Sequence, residues 1–161
     1  MHKIAVFESK VCAPDALFAR CATLARPLVF TNGVFDILHL GHATYLAQAR
    51  ALGQSLLVAI NSDASVKRLG KGDDRPINPL QDRMSLLAAL EAVSVVTWFD
   101  QDTPLDVIRL VKPDVLVKGG DWPEHAMVGA ADVKAWGGSV HSIPFVHQRS
   151  TSAVLDKIRR S

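Results

Sequence analysis

Cysteine is nearly missing from this chain of 161 residues, with only Cys12 and Cys21 present. Two thiols in the N-terminal segment build neither a disulfide framework nor a metal cluster, and they read as reduced thiols of a cytosolic protein. Charge of one sign is also lacking. The formal net charge is +2, which argues against a surface that coats nucleic acid. No apolar run is long enough to cross a bilayer. The start, Met1 to Glu8, has no apolar core followed by a small-residue cleavage site, so no secretory signal is expected. Repeats and low-complexity segments are absent. What remains is 48% hydrophobic and 21% charged, the composition of an ordinary globular domain that buries a real core. A cytoplasmic protein with no membrane and no nucleic-acid partner is the expectation.

Strand-like and helix-like segments alternate along the chain, the pattern of a parallel α/β sheet. A leader over 1–26, helical at 15–25, precedes a single domain over 27–161. Strands are expected at 28–31, 56–60, 93–99, 115–117 and 139–143. Helices are expected at 43–52, from Ser62 or Asp63 to about 69, and at 80–91, 103–111, 128–136 and 150–159. Met84, Leu87 and Leu90 form the apolar stripe of the third of these helices. Short connections make this a Rossmann-like, doubly wound, mainly parallel five-stranded sheet, whose ligands lie at the carboxyl ends of the strands.

The first strand runs directly into Thr31-Asn32-Gly33-Val34-Phe35-Asp36-Ile37-Leu38-His39-Leu40-Gly41-His42. A helix start offers unpaired N–H groups and a positive dipole end to a phosphate. Gly41 is expected to let a ligand approach that backbone. His39 and His42 add donors that respond to developing charge. A zinc pair is the rival, but helix-borne ligands are more often four apart and no cysteine or carboxylate cluster is near in sequence.

Further candidates follow later strands. Asn61, Ser62 and Asp63 read either as a helix cap or as ligand contacts. Lys67, Arg68 and Lys71 sit on a short helix and the Gly70–Pro79 loop, which is expected to be mobile and able to close over a triphosphate. Arg75 and Arg83 flank Pro76 and Pro79. Arg83 occupies the first turn of a helix, where a cation is unfavourable, and so implies an anion opposite. Lys118-Gly119-Gly120-Asp121 allows close backbone approach and offers a carboxylate to ribose, or else is a plain turn. Ser150, Thr151 and Ser152 open the last helix as a cap or a second anion cradle.

The whole string matches T-x-G-x-F-D-x-x-H-x-G-H at Thr31, Gly33, Phe35, Asp36, His39, Gly41 and His42. In this the chain resembles the nucleotidyltransferase superfamily, and within it the small cytidylyltransferase-like enzymes. From Pro27 to Ile158 it is most similar to the heptose-1-phosphate adenylyltransferases. The phrases Asn61–Leu69, Arg75–Met84, Thr103-Pro104, Lys118–Asp121 and Ser150–Ser152 carry that likeness. The resemblance implies the nucleotidyltransferase fold and the joining of ATP to D-glycero-β-D-manno-heptose 1-phosphate, with release of pyrophosphate, for the lipopolysaccharide inner core. Mg²⁺ is expected with ATP as a charge neutraliser, since a triphosphate usually brings it with few protein ligands.

Under this resemblance His39, His42 and Lys67 serve the chemistry. Thr31, Asn32, Gly33, Val34, Phe35, Asp36, Gly41, Arg83, Lys118, Gly120, Asp121, Ser150, Thr151 and Ser152 bind nucleotide, and Asp36 orients the loop or a metal-bound water. Asn61, Asp63, Arg68, Lys71 and Arg75 are candidates for substrate or phosphate. Many relatives carry this domain behind a sugar kinase. The chain resembles the stand-alone form, working downstream of a separate kinase and phosphatase. The residues leave its assembly open, a homodimer included. Glycerol-phosphate cytidylyltransferases end in Arg-Thr-Glu-Gly-Ile-Ser-Thr. Here Phe145-Val146-His147-Gln148-Arg149-Ser150-Thr151 stands instead, without the leading arginine and with Arg149 four positions on. That departure weighs against the alternative of a glycerol- or ethanolamine-phosphate cytidylyltransferase. The intact histidines and basic loop weigh against a non-catalytic nucleotide-binding module.

Overall fold

The computed structural model describes residues 5–70, 72–147 and 150–160. Five strands, β1 (Leu28–Gly33), β2 (Ser55–Asn61), β3 (Val95–Phe99), β4 (Val115–Gly119) and β5 (Ser139–Ile143), make one sheet. All pairings are parallel and the order is β3-β2-β1-β4-β5. Every residue of β2 is buried, as expected of a strand covered on both faces. Side chains alternate across the sheet. Leu28 and Phe30 enter one core with Leu57, Val95, Ile108 and Leu116. Val29 enters the other with Val58, Ile60, Leu46 and Leu87. The order reverses between β1 and β4, so the carboxyl ends of those two strands border the crevice where such sheets take ligands.

The helices are α1 (Leu17–Ala22), α2 (Leu40–Arg50), α3 (Asp63–Arg68), α4 (Leu80–Ala88), α5 (Leu105–Val111), α6 (Ala130–Ala135) and α7 (Thr151–Arg159). Several bounds differ from the sequence reading. The first strand is two residues longer, because Asn32 and Gly33 continue its register opposite Ala59 and Ile60. Helix α2 starts three residues early, with the His39 carbonyl accepting from the N–H of His42 at 2.9 Å and of Ala43 at 3.2 Å. Strand β4 runs on to Gly119, so Lys118 belongs to the sheet opposite Ser142. Helices α1, α4, α5 and α6 are shorter than expected, and Pro104 stands just before α5 as its N-cap.

The leader is part of this body. Val11 bridges Val96 in parallel, and the N–H of Cys12 donates to the Val96 carbonyl at 2.8 Å. Cys12, Leu17 and Cys21 lie in the same core as Leu28 and Phe30. Both thiols are free and buried. Burial pushes the Cys21 thiol up to about 11, which keeps it protonated and unreactive.

Candidate active site

The motif loop is shaped by its own side chains. Thr31 is buried, and its hydroxyl lies 2.6 Å from that of Tyr45. Phe35 sits in the left-handed region at φ 48°, a strained setting for a non-glycine residue. That turn folds the Phe35 ring back over Gly33, where a Cβ would stand 2.9 Å from it. The same ring meets His42 edge-on, with centroids 5.1 Å apart. His39 and His42 are stacked at 3.9 Å and 20°. Gly41 serves this stack. A Cβ there would lie 3.0 Å from Cε1 and Nδ1 of His39, so the room it makes is filled by an imidazole and not left open for a ligand.

Burial, and then the neighbouring His39, lower the His42 pKa to about 4, with the Ile37 carbonyl pulling the other way. His42 is therefore neutral near pH 7 in the free protein. Its ring is held at the first turn of α2, where helix amides have no intrahelical partner.

Two ion pairs lock the surroundings and reassign several expected contacts. Asp36 is 1% exposed. It accepts from Arg75 Nε at 2.6 Å, from the N–H of Ile77 at 3.0 Å and from that of Asn78 at 2.9 Å. Both carboxylate oxygens are thus engaged. Asp36 thus ties the motif loop to the 75–78 segment, and Arg75 points inward to it. Burial alone would raise the Asp36 pKa, yet the Asn78 and Ile77 amides and Arg75 hold it below its usual value.

Arg83 is fully buried. It donates to Asp63 at 2.7 Å, to the carbonyls of Val34 and Asn61 at 2.9 Å each, and to that of Asn78 at 3.1 Å. The anion opposite Arg83 is therefore Asp63, and the guanidinium is buried against it. The Asn61 amide donates to Ser65 at 3.0 Å, and Asp63 also accepts from the N–H of Leu80 at 3.3 Å. Asn61, Asp63, Arg75 and Arg83 are a clamp behind the site.

On the open side, Lys67 is exposed near the end of α3. Arg68 turns away to Asp102 at 2.7 Å. Lys71 and Arg149 lie outside the described residues. Asp121 is exposed, and Lys118 stands 5.7 Å from the centre of the Trp122 ring. Asn32 and Lys118 border one small cavity of about 30 Å³ with Pro104 and Val128, which places the ends of β1 and β4 on a common crevice. Gly120 has φ 102°, a backbone that favours glycine. Ser150 caps α7 by accepting from the Ala153 N–H at 3.1 Å. Thr151 donates to the Ile37 carbonyl at 3.4 Å, tying α7 to the motif loop, and Ser152 is exposed.

Three residues were not legible as site residues. The Phe145 ring lies on Gly119, the carbonyl of His147 is 3.7 Å from the Cβ position of Gly41, and Tyr45 meets Phe145 edge-on at 6.0 Å. The segment from Phe145 to His147 thus crosses from the end of β4 to the start of α2. Only its place after β5 hinted at this.

Comparison with known proteins agrees with the geometry. The cytidylyltransferase-like family model matches residues 30–160. The chain is 56% identical, over 96% of its own length and 96% of the relative's, to a D-beta-D-heptose 1-phosphate adenylyltransferase of Bordetella bronchiseptica. It is also 56% identical to the bifunctional protein HldE of Hahella chejuensis, matching 83% of this chain but only 28% of that longer protein. Among solved structures, a lipopolysaccharide core biosynthesis protein from Thermoplasma volcanium superposes with a TM-score of 0.61 at 28% identity, over 76% of this chain and 98% of that one. A pantothenate synthetase from Thermus thermophilus shares the fold, with a TM-score of 0.62 at 17% identity over 90% of this chain and 67% of that one.

Proposed function

The chain belongs to the cytidylyltransferase-like family, and on that footing we propose that it transfers the adenylyl group of ATP to D-glycero-β-D-manno-heptose 1-phosphate. ADP-heptose and pyrophosphate are the products, and the lipopolysaccharide inner core is the destination. The observation that carries this reading is the 56% identity, over nearly the whole of both chains, to a heptose 1-phosphate adenylyltransferase.

A phosphate oxygen of the sugar phosphate forms the new bond to the α-phosphorus of ATP, and the bond from that phosphorus to the bridging oxygen breaks. The nucleophile is already an anion, so no strong base is needed. What the protein supplies is alignment of two repelling phosphates and stabilisation of charge on the α-phosphate and the leaving group. His39 and His42, stacked at the N-terminus of α2, face that charge with the helix amides. The anion that arrives raises the proton affinity of a His42 that is otherwise neutral. Lys67, with Lys71, supports the pyrophosphate, and Ser150 to Ser152 the β/γ end. Lys118, Gly120 and Asp121 hold the adenosine.

Mg²⁺ would arrive with ATP and supply charge neutralisation at the triphosphate. No helix among the described residues is long and apolar enough to cross a membrane, and we place the reaction in the cytoplasm. Separate kinase and phosphatase steps would supply the sugar 1-phosphate. Light scattering reads whether the chain is a homodimer.

The deciding measurement is kcat/KM for ATP with heptose 1-phosphate against CTP with glycerol 3-phosphate. A site that selects its base by hydrogen bonding favours the first pair by roughly 10⁴-fold. A faster CTP and glycerol 3-phosphate pair would overturn the substrate assignment and leave the histidine chemistry standing.

A further inference from the structure

The glycine pair at the end of β4 does not lie open. A Cβ on Gly119 would stand 2.8 Å from Cζ and 2.9 Å from Cε1 of Phe145, and 3.2 Å from Tyr45. A Cβ on Gly120 would meet Phe145 at 3.5 Å and Trp122 at 3.3 Å. Gly119 is therefore small so that the Phe145 ring can rest on the backbone at the carboxyl end of β4, while Gly120 is set by its φ of 102°. Yet Phe145 is 52% exposed and Trp122 49% exposed. A ring that packs on the backbone and is still half exposed keeps an apolar face that a ligand could cover.

That face is held in place. Tyr45 abuts Phe145 edge-on, and the Tyr45 hydroxyl is fixed by Thr31. The N–H of Gly120 donates to the Ile143 carbonyl at 2.8 Å, Ser142 donates to the Gly120 carbonyl, and the N–H of Trp122 donates to Ser142 at 3.1 Å. Two residues beyond Phe145, the chain passes over Gly41 beside the stacked histidines. A ligand spanning from the histidines to Phe145 along this segment would need a polyanionic part at one end and a flat ring at the other.

We propose that Phe145 is a base-selecting residue, the platform on which the adenine ring of ATP stacks, with Trp122 at the rim. Aromatic stacking is sequence-tolerant in itself but grows with the area of the base. A purine covers the bare face of Phe145 more fully than a pyrimidine does. The proposal rests on the reading of the chain as an ATP-using enzyme and adds the group that favours the purine.

Calorimetric titration of the full chain with ATP, CTP and inorganic tripolyphosphate tests it. For Phe145→Ala the Kd for ATP should rise roughly tenfold or more, the scale of one lost base–aromatic stack, while that for tripolyphosphate stays put. The preference for ATP over CTP should shrink in the same variant, and Phe145→Tyr should restore both. If Phe145→Ala fails to fold, Phe145→Leu keeps apolar bulk on Gly119 without the aromatic face, and the same loss is expected. Unchanged ATP affinity in a folded variant overturns the proposal, and so does an equal loss for ATP and tripolyphosphate. A wild-type chain that binds ATP through Phe145 but makes no ADP-heptose would instead overturn the function while sparing the platform.

Discussion

Two imidazoles stacked at 3.9 Å cannot both carry a proton cheaply, and this sets what they do before and after substrate arrives. Burial and His39 keep His42 neutral in the free protein, with a pKa of about 4 in place of 6.5. Because the folded state binds the proton less well than the unfolded chain, this group favours folding fully above about pH 6.5, and that contribution is lost as pH falls from there towards 4. A His42→Gln variant should accordingly show a flatter melting temperature across that window, checked by calorimetry at steps of pH. Asp36 acts lower. Its depressed pKa contributes stability that is lost only as pH falls below 3.8, so the two effects separate on one curve. For chemistry, His39→Ala and His42→Ala should each reduce kcat by roughly 10²-fold or more, the scale of one lost preorganised donor. Steady-state kinetics beside a melting curve decides it. A variant with normal turnover and an early melt would make that histidine structural. The motif announces these two side chains, because their chemistry and their place at a helix start are both local. It does not announce that Gly41 exists for the ring of His39, since that contact needs the backbone bend to be seen.

At the scale of the element, the segment between α3 and α4 is fastened at several points, with Asp74 bonded to Arg159 of α7. Its composition of Gly, Asp and Pro suggests one mobile loop over 70–79. The structure fastens the second half, with Arg75, Ile77 and Asn78 all bonded to Asp36 and Asn78 also gripped by Arg83. Asp36 lies in the motif loop, so one carboxylate ties the loop that leads to the histidines to the 75–78 segment. Exchanging that carboxylate for an amide removes the charge and one acceptor oxygen, which leaves Arg75 buried and unpaired. The Asp36→Asn variant should lose hydrogen-exchange protection at the amides of Ile77 and Asn78, and activity should fall with it. Unaltered protection at both amides would sink the clamp. Sequence alone could place Arg83 only as a misplaced cation in a first turn. Its true partners, on β2, α3 and the motif loop, come together only once the sheet has formed, which is why a buried clamp resembles a phosphate contact.

The parallel pairing follows from the alternation of apolar runs with short helices, and it was most legible at β2, whose run is continuous and buried on both faces. The ends of elements were less so. Strand β4 outlasts its apolar residues because Lys118 and Gly119 keep pairing with Ser142 and Ile143, and backbone pairing leaves little trace in side-chain type. Phe145 was missed for a related reason, since an aromatic in a loop beside proline carries no sign of the distant glycines it covers. The leader is the strongest case at the scale of the whole molecule. It reads as a prelude to a domain beginning at Pro27, yet Leu17 is 1% exposed and Cys21 3%, packed with Leu28, Phe30 and Val111, and its Val11 pairs with Val96. Removing residues 1–26 would strip that face of the sheet. Each large apolar side chain taken from burial to water costs about 1.5–3 kcal/mol, and a domain's net stability is only about 5–15 kcal/mol. The chain from Pro27 onward should therefore lose its cooperative melt, while the milder Leu17→Ala should cost about 2–5 kcal/mol and leave the fold intact at low temperature. Circular dichroism on both variants reads the result, and a truncated chain that melts as sharply and as high as the full one would show the leader to be dispensable.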